Sequence, residues 1–217
     1  MGRRPAAGIG ATRSGAGAGA GAGGRQERLS FADRAAALAA ATAADVEADP
    51  VGFARASCLR LLERGPRTRA ELAAALAKKG VPDDAAEQVL SRFTEVGMID
   101  DALFASLWVA SRHRGRGLAS RALSQELRRK GVDGEVAQAA LEELDPEQEL
   151  ATARALVQRR LAGTRGLTPD AQVRRLAGML ARKGYPAGTA FRVVREALAE
   201  QGAQIDVAFD ALQSLED

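Results

Sequence analysis

Residues 126–132 read ELRRKGV, and the phrase returns as LAKKGV at 76–81 and as LARKGY at 180–185. With Gly80, Gly131 and Gly184 as anchors, a leucine stands eight residues before each (Leu72, Leu123, Leu176) and another four before (Leu76, Leu127, Leu180). Two basic residues precede each glycine: Lys78 and Lys79, Arg129 and Lys130, Arg182 and Lys183. Six residues after it comes Ala86, Ala137 or Ala190, and ten after it Leu90, Leu141 or Val194. The anchors are 51 and 53 residues apart. Seven shared offsets in three copies define an internal repeat.

Each copy predicts three helices. The first in each spans roughly 53–64, 101–113 and 147–161, the second 68–79, 118–130 and 169–183, the third 83–96, 133–144 and 187–200. The glycine ends the second helix, because the left-handed position after a helix suits a residue without Cβ and cations suit the negative end of the dipole. Thr68, Thr168 (followed by Pro169), Asp133 and Asp100 or Asp101 are the expected N-caps. Helices of this length are marginal alone, so stacking the units would bury the faces that one unit leaves open. The expected fold is all-α: three tandem three-helix repeats in an elongated, curved array. Its parts are a disordered tail at 1–27, a weakly ordered Ala-rich helix at 28–50, repeats at 51–98, 99–145 and 146–201, and an acidic tail at 202–217.

Composition agrees. Aromatics make up only 4% of the 217 residues, so a Leu, Ala and Val core is expected, which favours helices. One cysteine, Cys58, and one histidine, His113, exclude an intrachain disulfide and a His-rich metal site, and they favour a reducing, cytoplasmic compartment. No apolar run is long enough for a membrane span, and no secretory signal opens the chain. The tail carries a G-x-G-x-x-G match at Gly19, Gly21 and Gly24, but no strand precedes it and no helix follows, so it does not read as a dinucleotide site.

Residues 97–132 resemble the RecX family of recombinase regulators, through the G-x-I-D-D-x-x-F-A run from Gly97 to Ala105 and the E-L-x-x-K-G-V run from Glu126 to Val132. The resemblance covers about 53–200, and three tandem three-helix repeats are that family's plan. The loop Arg114-Gly115-Arg116-Gly117-Leu118 departs from the Gly-Pro that many members carry there. The resemblance implies a cytoplasmic regulator that binds the RecA filament on single-stranded DNA and limits its extension, ATP hydrolysis and strand exchange, with no cofactor.

Charge supplies an independent handle. The net charge is only +3, yet residues 112–130 hold seven basic residues against Glu126, and residues 133–149 hold seven acidic residues and no basic one. On the central helix Ala119, Leu123 and Leu127 share one face, while Arg121, Gln125, Arg128 and Arg129 fall on the other. Arg174 occupies in the third copy the place of Arg121. The candidate binding residues are Arg112, Arg114, Arg116, Arg121, Arg128, Arg129, Lys130, Arg174, Arg182 and Lys183. Guanidinium groups suit both DNA phosphates and acidic patches on a protein filament, and both targets stay open.

The remaining chemistry-bearing residues read as structural. Phe53, Phe93, Phe104, Trp108 and Phe191 sit among apolar residues, Phe104 and Trp108 are expected to pack together, and no exposed aromatic for base stacking stands out. Tyr185 reads as apolar packing and Cys58 as a small buried hydrophobe. Asp100 and Asp101, like Glu142 and Glu143, are helix neighbours pointing about 100° apart, so neither pair converges on one atom. His113 is expected at a helix end beside a loop, without an orienting carboxylate. The chain is therefore read as a monomeric non-enzyme. The alternatives are a stand-alone helical DNA-binding protein, such as a helix-turn-helix transcription factor, and a scaffold for another protein.

Overall fold

The computed structural model describes residues 30–213, with side chains described as far as Gly202, so the tail expected at 1–27 lies outside the described residues. The chain divides into two units, residues 1–39 and 40–217. Of the first unit the structure describes the start of α1 (Phe31–Ala48), where the Asp33 carboxylate accepts from the Ser30 N–H and hydroxyl. Every residue there is exposed.

The second unit is helical throughout its described residues. After the end of α1 come α2 (Pro50–Leu62), α3 (Arg69–Ala77) and α4 (Asp83–Glu95). Then follow α5 (Asp101–Arg116), α6 (Ser120–Arg129) and α7 (Gly134–Glu142), and finally α8 (Pro146–Leu161), α9 (Pro169–Arg182) and α10 (Ala187–Gln213). Each trio packs on itself, and no pair of helices from different trios packs extensively. Three cores result. The first gathers Leu72, Leu76, Leu90 and Phe93 with Val46 of α1, the second Leu123, Leu127, Phe104 and Val109, the third Leu176, Leu180, Val193 and Val194. The two repeat leucines ahead of each glycine are thus among the largest fully buried side chains of their modules, each contributing about 1.5–3 kcal/mol relative to exposure.

The expected caps form with one exception. Thr68 and Glu71 close a capping box on α3, Asp100 accepts from the Leu103 N–H at 2.8 Å, and Asp133 from the Glu135 N–H at 2.8 Å. Thr168 stands at the N-cap of α9 in extended geometry but makes no side-chain cap bond. The helix expected at 187–200 runs on to Gln213, through part of the stretch expected to be an acidic tail. Gly202 is passed without a positive φ, no proline intervenes, and Ile205, Phe209 and Leu212 continue the helical spacing.

The modules meet through a repeated polar junction. At each one, the carbonyl just before a helix-stop glycine is captured by the residue ahead of the previous module's second helix. The Thr68 hydroxyl donates to Lys130 O at 2.7 Å, and the Ala119 N–H donates to Lys183 O at 2.9 Å. A carboxylate from the next module also caps the first N–H of that helix. Asp101 Oδ1 accepts from Arg69 N–H at 2.9 Å, and Glu149 Oε1 accepts from Ser120 N–H at 2.9 Å. In the third module the corresponding residue is Pro169, which has no N–H to satisfy.

Candidate partner interface

The candidate cations separate into those held in the junctions and those left free. Lys130 reaches from the second module into the first. Its Nζ lies 2.7 Å from Glu71 Oε1 and stands 4.3 Å from the centre of the Trp108 ring. Arg112 lies 4.0 Å from that ring's centre and 3.6 Å from Glu126, and the Trp108 indole N–H donates to Glu126 at 2.8 Å. Trp108 stacks on Phe104 at 5.6 Å, as expected from their spacing. Arg112 and Lys130 are therefore half-buried clamps on an aromatic pair.

Lys183 does the matching work between the second and third modules, where its ammonium donates to Arg116 O. Burial, followed by the charges of Arg159, Arg160 and Arg116, holds this ammonium below the usual lysine range. The first module repeats the theme: burial and the nearby Arg60 and Arg64 hold Lys79 low, although Cys58 opposes them. Arg159 and Arg160 form a dibasic pair in the last turn of α8, a signal visible in the sequence but outside the repeated phrase.

Arg114, Arg116, Arg121, Arg128, Arg129, Arg174 and Arg182 are exposed, and none forms an ion pair with another described residue. Ala119, Leu123 and Leu127 are fully buried while Arg121, Gln125, Arg128 and Arg129 face solvent, so the two faces of α6 divide as its spacing predicts. Arg121 also stands with Arg192 beside a cavity of about 520 Å³ between the second and third modules, floored by Leu150, Tyr185 and Pro186.

Two aromatics are placed differently from expectation, while His113 lies where it was expected. His113 stands in the last turn of α5, the helix end beside a loop, and it is buried there, its ring nitrogens each 2.9 Å from Leu118 O and Thr152 Oγ1 rather than from a carboxylate. The helix continues past it until Gly117, whose φ of 62° makes the stop. Phe191 and Phe31, in contrast, are exposed aromatics. Spacing alone could not reveal that α10 turns Phe191 outward while Val193 and Val194 fill the core. Tyr185 is buried as expected, with its hydroxyl 3.3 Å from Gly117 O. Burial, with Glu149 adding, pushes its phenol far above the usual tyrosine range. Cys58 is fully buried, and burial raises its thiol against the pull of Lys79.

Among the described residues no group of three or more His, Cys, Asp or Glu is placed to hold a metal, and no helix is long and apolar enough to cross a membrane. Small helical modules fastened by polar junctions define a tandem-repeat protein. The first, second and third three-helix domains of RecX match residues 54–93, 100–141 and 147–194. The regulatory protein RecX of Streptomyces coelicolor is 62% identical over 154 residues, covering 71% of this chain and 82% of that one. The regulatory protein RecX of Thermobifida fusca is 60% identical over 153 residues, covering 70% and 83%. The crystal structure of RecX from Lactobacillus salivarius superposes with a TM-score of 0.64 at 17% identity, covering 69% of this chain and 97% of that one, a likeness of fold. The chain belongs to the RecX family of regulatory proteins.

Proposed function

We propose that this chain is a monomeric, non-enzymatic cytoplasmic regulator that binds the RecA recombinase filament on single-stranded DNA. It limits the filament's extension, ATP hydrolysis and strand exchange. The observation that carries the reading is the set of exposed, unpaired arginines on α6, at the end of α5 and on α9, repeated along modules whose own ion pairs do not consume them. A polymer of identical subunits offers acidic or phosphate groups at a regular interval, and a tandem array can meet several at once. Bound in that way, the modules bridge neighbouring subunits and obstruct the addition of further ones.

The test replaces Arg121, Arg128 and Arg129 with Glu together and follows recombinase ATP hydrolysis on single-stranded DNA. Inhibition by the wild-type chain that the triple variant has lost supports the reading. Undiminished inhibition removes this face from the contact. The stand-alone alternative predicts tight, sequence-selective DNA binding with no recombinase present.

A further inference from the structure

The outward face of α5 is apolar where it has no need to be. Seven large apolar side chains are exposed between residues 40 and 202, and four of them are Val96, Met98, Leu103 and Leu107. Leu103 and Leu107 are the most open of the seven, each 56% exposed. They lie one turn apart, and at 100° per residue Ala110 and Arg114 continue the same stripe. Core-facing Phe104, Ala105 and Val109 occupy the opposite side, so α5 carries a second apolar stripe that none of the three cores uses.

Charge gives the stripe a direction. Arg114 closes its C-terminal end, exposed and without an ion pair among the described residues. Along one flank Ser106 donates to Glu143, the residue that follows α7, at 3.0 Å, which sets a carboxylate beside the leucines. A phosphate backbone gains nothing from covering two leucines and is repelled by Glu143. A protein groove with an apolar floor fits the helix instead, with a carboxylate at one end for Arg114 and a cation at its edge for Glu143.

We infer that the Leu103–Leu107–Ala110–Arg114 stripe of α5 is a protein-docking helix face, which inserts into an apolar groove on the recombinase subunit. The inference rests on the reading of the chain as a filament regulator, and it separates the protein contact from the arginines of α6 that suit phosphate. Helix faces of this kind concentrate affinity in a few anchors at i, i+4 and i+7.

The experiment is co-sedimentation of the full chain with preformed recombinase filaments on single-stranded DNA, beside its affinity for bare single-stranded DNA. L103D/L107D weakens filament binding by about 100-fold and leaves bare-DNA affinity within about twofold. R114E weakens filament binding by about tenfold. L167S, at an exposed leucine outside the stripe, changes neither. L103S/L107S repeats the test with uncharged side chains, and a unchanged urea midpoint in each variant establishes that the fold survives. Filament binding that stays within about threefold of wild type in both double variants overturns the inference while leaving wild-type inhibition intact. An equal loss on bare DNA also overturns it. So does a wild-type dimer that L103D/L107D dissociates, since the stripe's occupant is then a second copy. A wild-type chain that ignores the filament overturns the recombinase reading itself.

Discussion

Gly80, Gly131 and Gly184 share one backbone conformation, with φ of 78°, 71° and 93°, and differ only in what lies beside them. A Cβ on Gly80 meets nothing within 4 Å, whereas on Gly131 it comes 2.4 Å from Ala70 Cβ and on Gly184 2.6 Å from the Ala122 backbone nitrogen. All three need a left-handed residue, but only the last two need an absent side chain for the previous module to approach. Gly80→Ala should therefore lower stability by about 1–2 kcal/mol through φ strain alone. Gly131→Ala and Gly184→Ala should each cost about 2–4 kcal/mol, because overpacking adds to the strain. Urea denaturation of the three variants checks the order. Near-equal losses would mean that the close approach carries no energy.

Tyr185 gives a second residue-scale prediction. Its folded-state pKa lies above its unfolded value of about 10, so its contribution is complete below that pH and is lost as pH rises above it. Wild type should lose stability relative to Tyr185→Phe above about pH 10, by up to about 1.4 kcal/mol per pH unit. Parallel urea midpoints for the two proteins from pH 8 to 11 would contradict this.

At the scale of the element, α6 is notable for lacking a cap of its own. Its N-cap residue is Ala119, and its first N–H and the Ser120 hydroxyl are both held by Glu149 of the next module, at 2.9 and 3.0 Å. Glu149→Ala should lower stability by about 1–2 kcal/mol, within the range for removing a helix cap, although the substituted residue lies in α8. Hydrogen exchange should quicken in the first turn of α6 and not in α8. This arrangement was illegible in the sequence, where Ala119 reads only as a buried position and Glu149 as one of seven acids in a solvated run. The free face of α6 was legible, because period and residue type alone decide which side of a short helix can be buried. Asp101 illustrates the same limit. Its neighbour Asp100 is the cap that spacing predicts, while Asp101 caps α3 across the junction.

For the whole molecule, three separate cores mean that each module depends on its neighbours through a few polar bonds and close backbone contacts. The second module has the most to lose. A chain ending at Leu144 leaves Ser120 without its acceptor, His113 without Thr152 and Ala119 without Lys183 O. Its unfolding, followed by emission from Trp108, the single tryptophan, should need about 2–4 kcal/mol less than in the full chain. A truncated chain with an unchanged midpoint would show the modules to be energetically independent. Charge is also a property of the whole molecule. The basic run at 112–130 was read as one surface, and the fold divides it, drawing Arg112 and Lys130 inward to Trp108 while Arg121, Arg128 and Arg129 remain outside.

The amino-acid sequence by itself determined the number of modules, their helices, the glycine stops and the leucines of each core. Those features are local: they follow from periodicity, cap chemistry and the conformations open to a residue without Cβ. Only the tertiary structure decided which cations are spent in the junctions, which carboxylate caps α6, and that α5 turns two leucines to solvent. The junction cations and the α6 cap depend on partners 29 to 67 residues away along the chain, and the exposure of the leucines depends on how α5 packs, so no local pattern records them.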